Sequence, residues 1–165
     1  MLLICTASSG HNRTLALRLS ELAVGLEISN HVLDLTQVDL PLFTPERDEA
    51  GVPASLPAVE ELFRAATGLF VCAPEYNGSI PPTLTNAIAW LSTQSDDFRS
   101  LFNGKAVGIG SHSGGGGQKV LVAMRLQFSH LGCNVIGREI LTRSSKALRD
   151  ESAISILKQL QSAMP

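Results

Sequence analysis

Three short segments of this 165-residue chain carry the residue types that could do chemistry. The first, residues 7–14, reads Ala7-Ser8-Ser9-Gly10-His11-Asn12-Arg13-Thr14 and leads into a stretch with helical spacing. Backbone N–H groups at a helix start, with Ser8, Ser9 and Asn12 close by, suit a phosphate dianion. Ser9 or Asn12 would equally serve as a plain helix cap, so both roles stay open. The segment has neither the Gly-x-Gly-x-x-Gly of dinucleotide folds nor the Gly-Lys-Ser/Thr of a P-loop. The second segment, residues 74–79, sets Pro74, Glu75, Tyr76, Asn77 and Gly78 together: a carboxylate, a phenol and an amide on one loop. An ordinary turn needs only the Asn-Gly pair. Tyr76 is the only tyrosine, and its ring is either a site group or a core group. The third, residues 111–117, places Ser111, His112 and Ser113 ahead of four glycines beginning at Gly114. Ordering four glycines costs entropy, which close approach by a flat ligand would justify; a flexible lid is the competing reading.

Those segments must be positioned by something, and the periodicity says what. Residues 2–6, 69–72, 106–109 and 134–136 are short apolar runs, as strands covered on both faces should be, and 32–35 supplies another strand. Between them run helical stripes: Leu15, Leu19, Leu22 and Leu26; Val59, Leu62, Phe63 and Ala66; Leu84, Ala87, Ile88 and Leu91; Val120, Met124, Phe128 and Leu131; and finally Ala153, Ile156, Leu157 and Leu160. Pro81 and Pro82 rigidify the entry to the third of these helices. Residues 39–57 read as a long irregular loop inside the domain. Alternating β and α predicts a single α/β domain over residues 1–165, a flavodoxin-like three-layer sandwich with a five-stranded parallel sheet in order 2-1-3-4-5. In such a sheet every β→α loop leaves by the same edge, so the segments after strands 1, 3 and 4 should converge.

Composition narrows the function. A net charge of −2 and no basic stripe give no electrostatic case for nucleic acid. The apolar runs are strand-sized, too short for a membrane span, and the amino terminus reads as a strand with no secretory leader before it. Cys5, Cys72 and Cys133 are scattered in apolar segments without a CxxC pair, so they read as small buried hydrophobes in the cytoplasm, with no metal site.

At Glu75-Tyr76-Asn77-Gly78, Pro81-Pro82, Asn86-Ala87-Ile88 and Trp90-Leu91-Ser92 the chain resembles the NADPH-dependent FMN reductase family, which includes bacterial quinone and chromate reductases. Leu40-Pro41-Leu42-Phe43 and Ser113-Gly114 with Gly116-Gly117 are similar to further family segments, so the resemblance covers nearly the whole chain. It implies bound FMN, with NAD(P)H as co-substrate delivering hydride to FMN and electrons then passing to a small acceptor such as a quinone, free flavin or metal oxyanion. Because the chemistry would lie on FMN, no catalytic side chain is required. Carried over by position, Ser8 and Asn12 would hold the phosphate, 74–78 would follow the ribityl chain and ring edge, and 111–114 would lie near the ring's other side. The family commonly has Gly-Ser-x-Arg and a longer run here; this chain lacks that arginine, leaving backbone dipoles and hydroxyls, with Ser9, His11 or Arg13 in support.

The rival within the fold is a flavodoxin-type electron carrier docking protein partners. The small net charge and the absence of an aromatic residue from 111–117 argue instead for a ring open to a second flat molecule. A phospho-receiver would need clustered aspartates where Ala7, Ser8 and Pro74 stand. His112 is a candidate proton donor, against a bystander role. Self-association to a homodimer or tetramer is expected, with residues 39–57 and the third helix at the interface. That helix carries Trp90, the only tryptophan, whose alternative is to pack in its own core.

Overall fold

A computed structural model describes residues 1–164. Five strands form the main path: β1 (Leu2–Thr6), β2 (Asn30–Asp34), β3 (Gly68–Cys72), β4 (Ala106–His112) and β5 (Asn134–Val135). All pair in parallel, in the order β2-β1-β3-β4-β5, the flavodoxin-like arrangement expected from the sequence. The order reverses between β1 and β3, where a doubly wound sheet opens its binding crevice.

Helices cover both faces. Helix α1 (His11–Gly25) and the last helix, α6 (Asp150–Ala163), bury Leu15, Leu19, Ile156 and Leu160 against Leu2, Ile4 and Phe70. On the other face α3 (Leu56–Ala65), α4 (Pro82–Leu91) and α5 (Gln118–His130) close over Leu3, Val71 and Ile109. Gly108 and Gly110 alternate on one face of β4, and a Cβ there would lie 2.6 and 3.1 Å from the Phe70 ring, so their lack of a side chain makes room for a core aromatic. The three cysteines are free and buried; burial pushes Cys5 and Cys133 up to about 12 and Cys72 upward too, so these thiols are inert. Among the described residues no helix is long and apolar enough to cross a membrane, and no His/Cys/Asp/Glu cluster could hold a metal.

Several expectations shift. The 39–57 stretch is not wholly irregular: Thr44 caps a short helix, α2 (Pro45–Ala50), accepting the Arg47 N–H at 3.3 Å. The fifth sheet position is not the single run 134–136. It is split into β5 and a further strand, β6 (Ile140–Thr142), which pairs with the far end of β4. Strand β4 itself runs past the predicted 109 to His112, because β6 offers Leu141 and Thr142 as partners to Ser111 and His112. Trp90 is fully buried, its indole N–H donating to Pro41 O at 2.7 Å and its ring meeting Phe43 edge-on at 5.2 Å. The tryptophan therefore belongs to the core and pins the 39–43 segment to α4, and it offers nothing to a partner surface. Asn86 does the same work one turn earlier, accepting the Phe43 N–H at 2.7 Å and donating to Pro41 O at 3.0 Å.

Candidate functional site

The parallel register ends β1, β3 and the matching part of β4 at one level, Thr6 opposite Cys72 and Cys72 opposite Gly110. The loops that follow meet around a cleft of about 430 Å³. Its walls are Ser8, Ser9, Gly10, His11 and Asn12 from the first loop, Pro74, Glu75 and Tyr76 from the second, and His112, Ser113 and Gly114 from the third. Ser144, beyond β6, completes the rim.

The first loop is held from below. Thr6 Oγ1 donates to Ser8 O at 2.9 Å and Thr83 Oγ1 donates to Ala7 O at 2.7 Å, locking the chain as it leaves the sheet. Helix α1 then starts with Gly10 as its cap residue and no side-chain cap. Arg13 and Thr14 N–H both turn back to Gly10 O, at 2.9 and 3.2 Å. Among the described residues the N–H groups of Gly10, His11 and Asn12 find no acceptor, so the helix presents unpaired donors and the positive end of its dipole to the cleft. That donor set fits a phosphate.

Asn12 lines this cleft in a different way from the one its sequence position implies. It is only 1% exposed, and its carboxamide forms a reciprocal pair with the His112 backbone, donating to the carbonyl at 3.0 Å and accepting the N–H at 2.8 Å. The side chain ties the start of α1 to the end of β4, leaving only its backbone N–H for a ligand. Arg13 turns away, 3.2 Å from Asp34, and borders a separate cleft with Ser9 and Gln37. Ser111 is fully buried with no hydrogen-bond partner for its hydroxyl, so it supports the third loop from beneath.

The second loop is a tight hairpin. Tyr76 and Ser79 exchange both backbone hydrogen bonds, at 3.1 and 3.0 Å, around Asn77 and Gly78 with φ of 50° and 76°. Two positive φ values in succession explain the Asn-Gly pair. They also carry both residues to the turn tip, outside the cleft lining, while the Tyr76 ring stays half exposed at its mouth. Glu75 reaches across to the third loop, its Oε2 accepting the Lys119 N–H at 3.2 Å in the first turn of α5.

Beneath the third loop, His11 and His112 stack with centroids 4.3 Å apart and planes 27° from parallel. Thr142 Oγ1 donates to Ser111 O at 3.3 Å and sits 3.0 Å from His112 Nδ1. Burial and then the neighbouring His11 hold His112 below the ordinary histidine range. Thr142 and Ser144 carried no signal in the sequence: their place at the site comes from the lateral pairing of β6 with β4 and from no local motif.

Comparison with known proteins agrees with this arrangement. Over 59 residues the chain is 44% identical to a quinone reductase of Escherichia coli (strain K12), covering 35% of this chain and 31% of that protein. Over 117 residues it is 26% identical to an NADPH azoreductase of Bacillus sp. (strain OY1-2), 70% of this chain and 62% of that one. The chain thus spans between about a third and three-fifths of the length of these relatives. Among solved structures, a flavoenzyme NAD(P)H:(acceptor) oxidoreductase from Paracoccus denitrificans superposes with a TM-score of 0.77 at 20% identity, covering 98% of this chain and 93% of that one, a likeness of fold. The sequence profile of the NADPH-dependent FMN reductase family matches residues 1–147, everything up to the approach to the last helix. The chain is a member of the NADPH-dependent FMN reductase family.

Proposed function

We propose that this protein is an NAD(P)H-dependent oxidoreductase that holds FMN in the 430 Å³ cleft and reduces small acceptors of the quinone, azo, free-flavin or metal-oxyanion kind. The observation that carries the reading is the uncapped start of α1, whose unpaired N–H groups face the cleft between the other two loops. Bound FMN would supply the redox chemistry, accepting hydride from the nicotinamide and releasing electrons to the acceptor.

The chain's own residues bind and orient. Backbone N–H groups of Gly10, His11 and Asn12 with the Ser8 and Ser9 hydroxyls cradle the phosphate. Pro74 to Tyr76 border the ribityl chain and ring edge, and Ser113 with Gly114 lie along the ring's other side. Gly114 and Gly115 have open space where a Cβ would stand, and Tyr76 is the only benzenoid ring lining the cleft, so one ring face stays free for a second flat molecule. That openness favours an enzyme over a carrier that sandwiches its flavin.

Assembly belongs to the same proposal. Exposed Leu42 and Val52, the first lining an apolar hollow with Phe43 and Pro82, support the 39–57 segment as the homodimer or tetramer surface in place of Trp90. Residence in the cytoplasm is proposed from the three free thiols.

The test is the visible spectrum of the purified protein reconstituted with FMN. Bleaching by NAD(P)H alone, followed by reoxidation with a quinone, is the expected result. A flavin spectrum that NAD(P)H leaves unbleached would favour the carrier. Sedimentation across a wide concentration range, with Leu42→Glu alongside, tests assembly.

A further inference from the structure

The charge inventory of the cleft is unusual for a phosphate site. Of its lining residues only His11 and His112 can carry positive charge; no lysine or arginine lines it. None of the neighbouring cations, Lys146 in the loop after β6 included, lines the cleft. Arg13 on α1 is 3.2 Å from Asp34, and Arg18, also on α1, is held by Glu21 and Asp150. Arg143, in the loop after β6, lies 2.8 Å from the Gln118 amide oxygen in that amide's satisfied orientation. Lys119 at the start of α5 is exposed, its chain lying by the Gly78 turn tip. Glu75 is the one carboxylate in the lining, and it accepts from Lys119 N–H. A phosphate monoester near neutral pH brings about −1.5 to −2 charges, whereas a helix end offers roughly half a positive charge. About one charge is missing.

We propose, resting on the phosphate cradle above, that His11 supplies it: the imidazole takes up a proton from solvent when the FMN phosphate binds, so cofactor capture is proton-linked. Geometry explains why. His11 is the first residue of α1, where the helix dipole opposes a cation that has no anion beside it. Its stacking partner lies 4.3 Å away, so two charged rings would repel. His112 is the member kept neutral, since it is the more buried ring. His11 is the exposed one, lining the cleft beside the unpaired donors. A phosphate placed there reverses the sign of the local field, and a cation on His11 then becomes the favoured state, with the neutral His112 ring supporting it from behind. The arrangement also makes His11 a determinant of FMN over phosphate-free riboflavin.

Calorimetric titration of apoprotein with FMN, in buffers of different ionisation enthalpy at pH 7.5, reads the proton directly. Net proton uptake is expected, with affinity falling several-fold as pH rises from 6.5 to 8.5. Riboflavin should bind without uptake. His11→Gln should abolish uptake and flatten the pH profile, while His112→Gln should keep both. FMN binding by the wild type with no proton taken up would overturn the inference and leave the cradle standing, as would uptake that survives in His11→Gln or accompanies riboflavin. Failure of the cradle itself shows separately, as FMN affinity unchanged in Gly10→Asp.

Discussion

Helices α1 and α5 start at the same edge of the sheet, on the same cleft, yet their first turns are finished differently. The start of α5, likewise without a cap from its own Gly117, is partly closed: Gly117 takes a φ of 80° to aim the chain, and Glu75 from the neighbouring loop accepts the Lys119 N–H. The start of α1 has no carboxylate and no capping hydroxyl, and its donors are left unpaired. An unfinished helix end costs stability, a few tenths of a kcal/mol relative to a good cap when glycine holds the cap position. Two such ends side by side would compete for one anion. With a carboxylate on one and none on the other, α1 is the end whose first donors are all left for an anion, as the proposed phosphate cradle requires.

The sharpest way to break this contrast is to finish α1 as α5 is finished. A Cβ at Gly10 meets open space, so Gly10→Asp has room to set a carboxylate on these donors, at the backbone cost of a φ of −93° and ψ of −129° that suit glycine. We expect FMN affinity to fall at least about 100-fold, from two or more charge-assisted hydrogen bonds worth about 1.5–3 kcal/mol each. Thermal stability of the apoprotein should change little, because a cap is worth only a few tenths of a kcal/mol over glycine and this backbone suits aspartate less well. A large loss of binding with melting nearly unchanged is the signature; a loss of both would mean Gly10 is needed for the fold.

Asn12 separates positioning from binding. Asn12→Ala strands the His112 N–H and carbonyl, and should cost about 2–4 kcal/mol of stability by denaturant titration. Ser8→Ala should leave the midpoint in place and weaken FMN about tenfold or more, by loss of one hydrogen bond to the phosphate. The sequence treats these two residues as equivalent phosphate ligands; equal stability losses in the two variants would restore that view.

At the closed end, Glu75→Gln keeps a weaker acceptor and Glu75→Ala removes it. The alanine variant should lose about 0.5–1 kcal/mol, with the glutamine between. Either should admit an anion to α5, read as a second sulfate or phosphate bound beyond the one that competes with FMN at α1 in the wild type.

The smallest expected effect is a pH dependence. His112 is held below its unfolded value, so the unfolded chain binds more protons in that window. Apoprotein stability is therefore complete above about pH 6.5 and declines as pH falls through the lowered His112 value. His112→Gln should flatten that segment of the stability profile.

How much of this was legible in the sequence follows from how local each cause is. Strand runs such as 2–6 and 69–72 are apolar because both faces are covered, and the helical stripes show the 3.6-residue period, so the βα order and the sheet were readable. The Asn77-Gly78 pair announces its own turn, because two positive φ values are cheap only for such residues. The loops' convergence followed from parallel topology.

What the sequence could not supply are the pairings between distant residues. Nothing local to Asn12 says that His112, a hundred positions on, satisfies its amide and takes it from the ligand. Nothing near Trp90 says that Pro41 accepts its N–H and makes it core. Nothing in 140–144 says that a split fifth strand will lengthen β4, set Thr142 against His112 and bring Ser144 to the rim. The sequence by itself determined the fold and which three loops would meet, since period and breakers act within a few residues. Which side chains face the cleft and which are spent holding it together was decided by tertiary structure, because a polar group's role depends on whether another buried polar group needs it first.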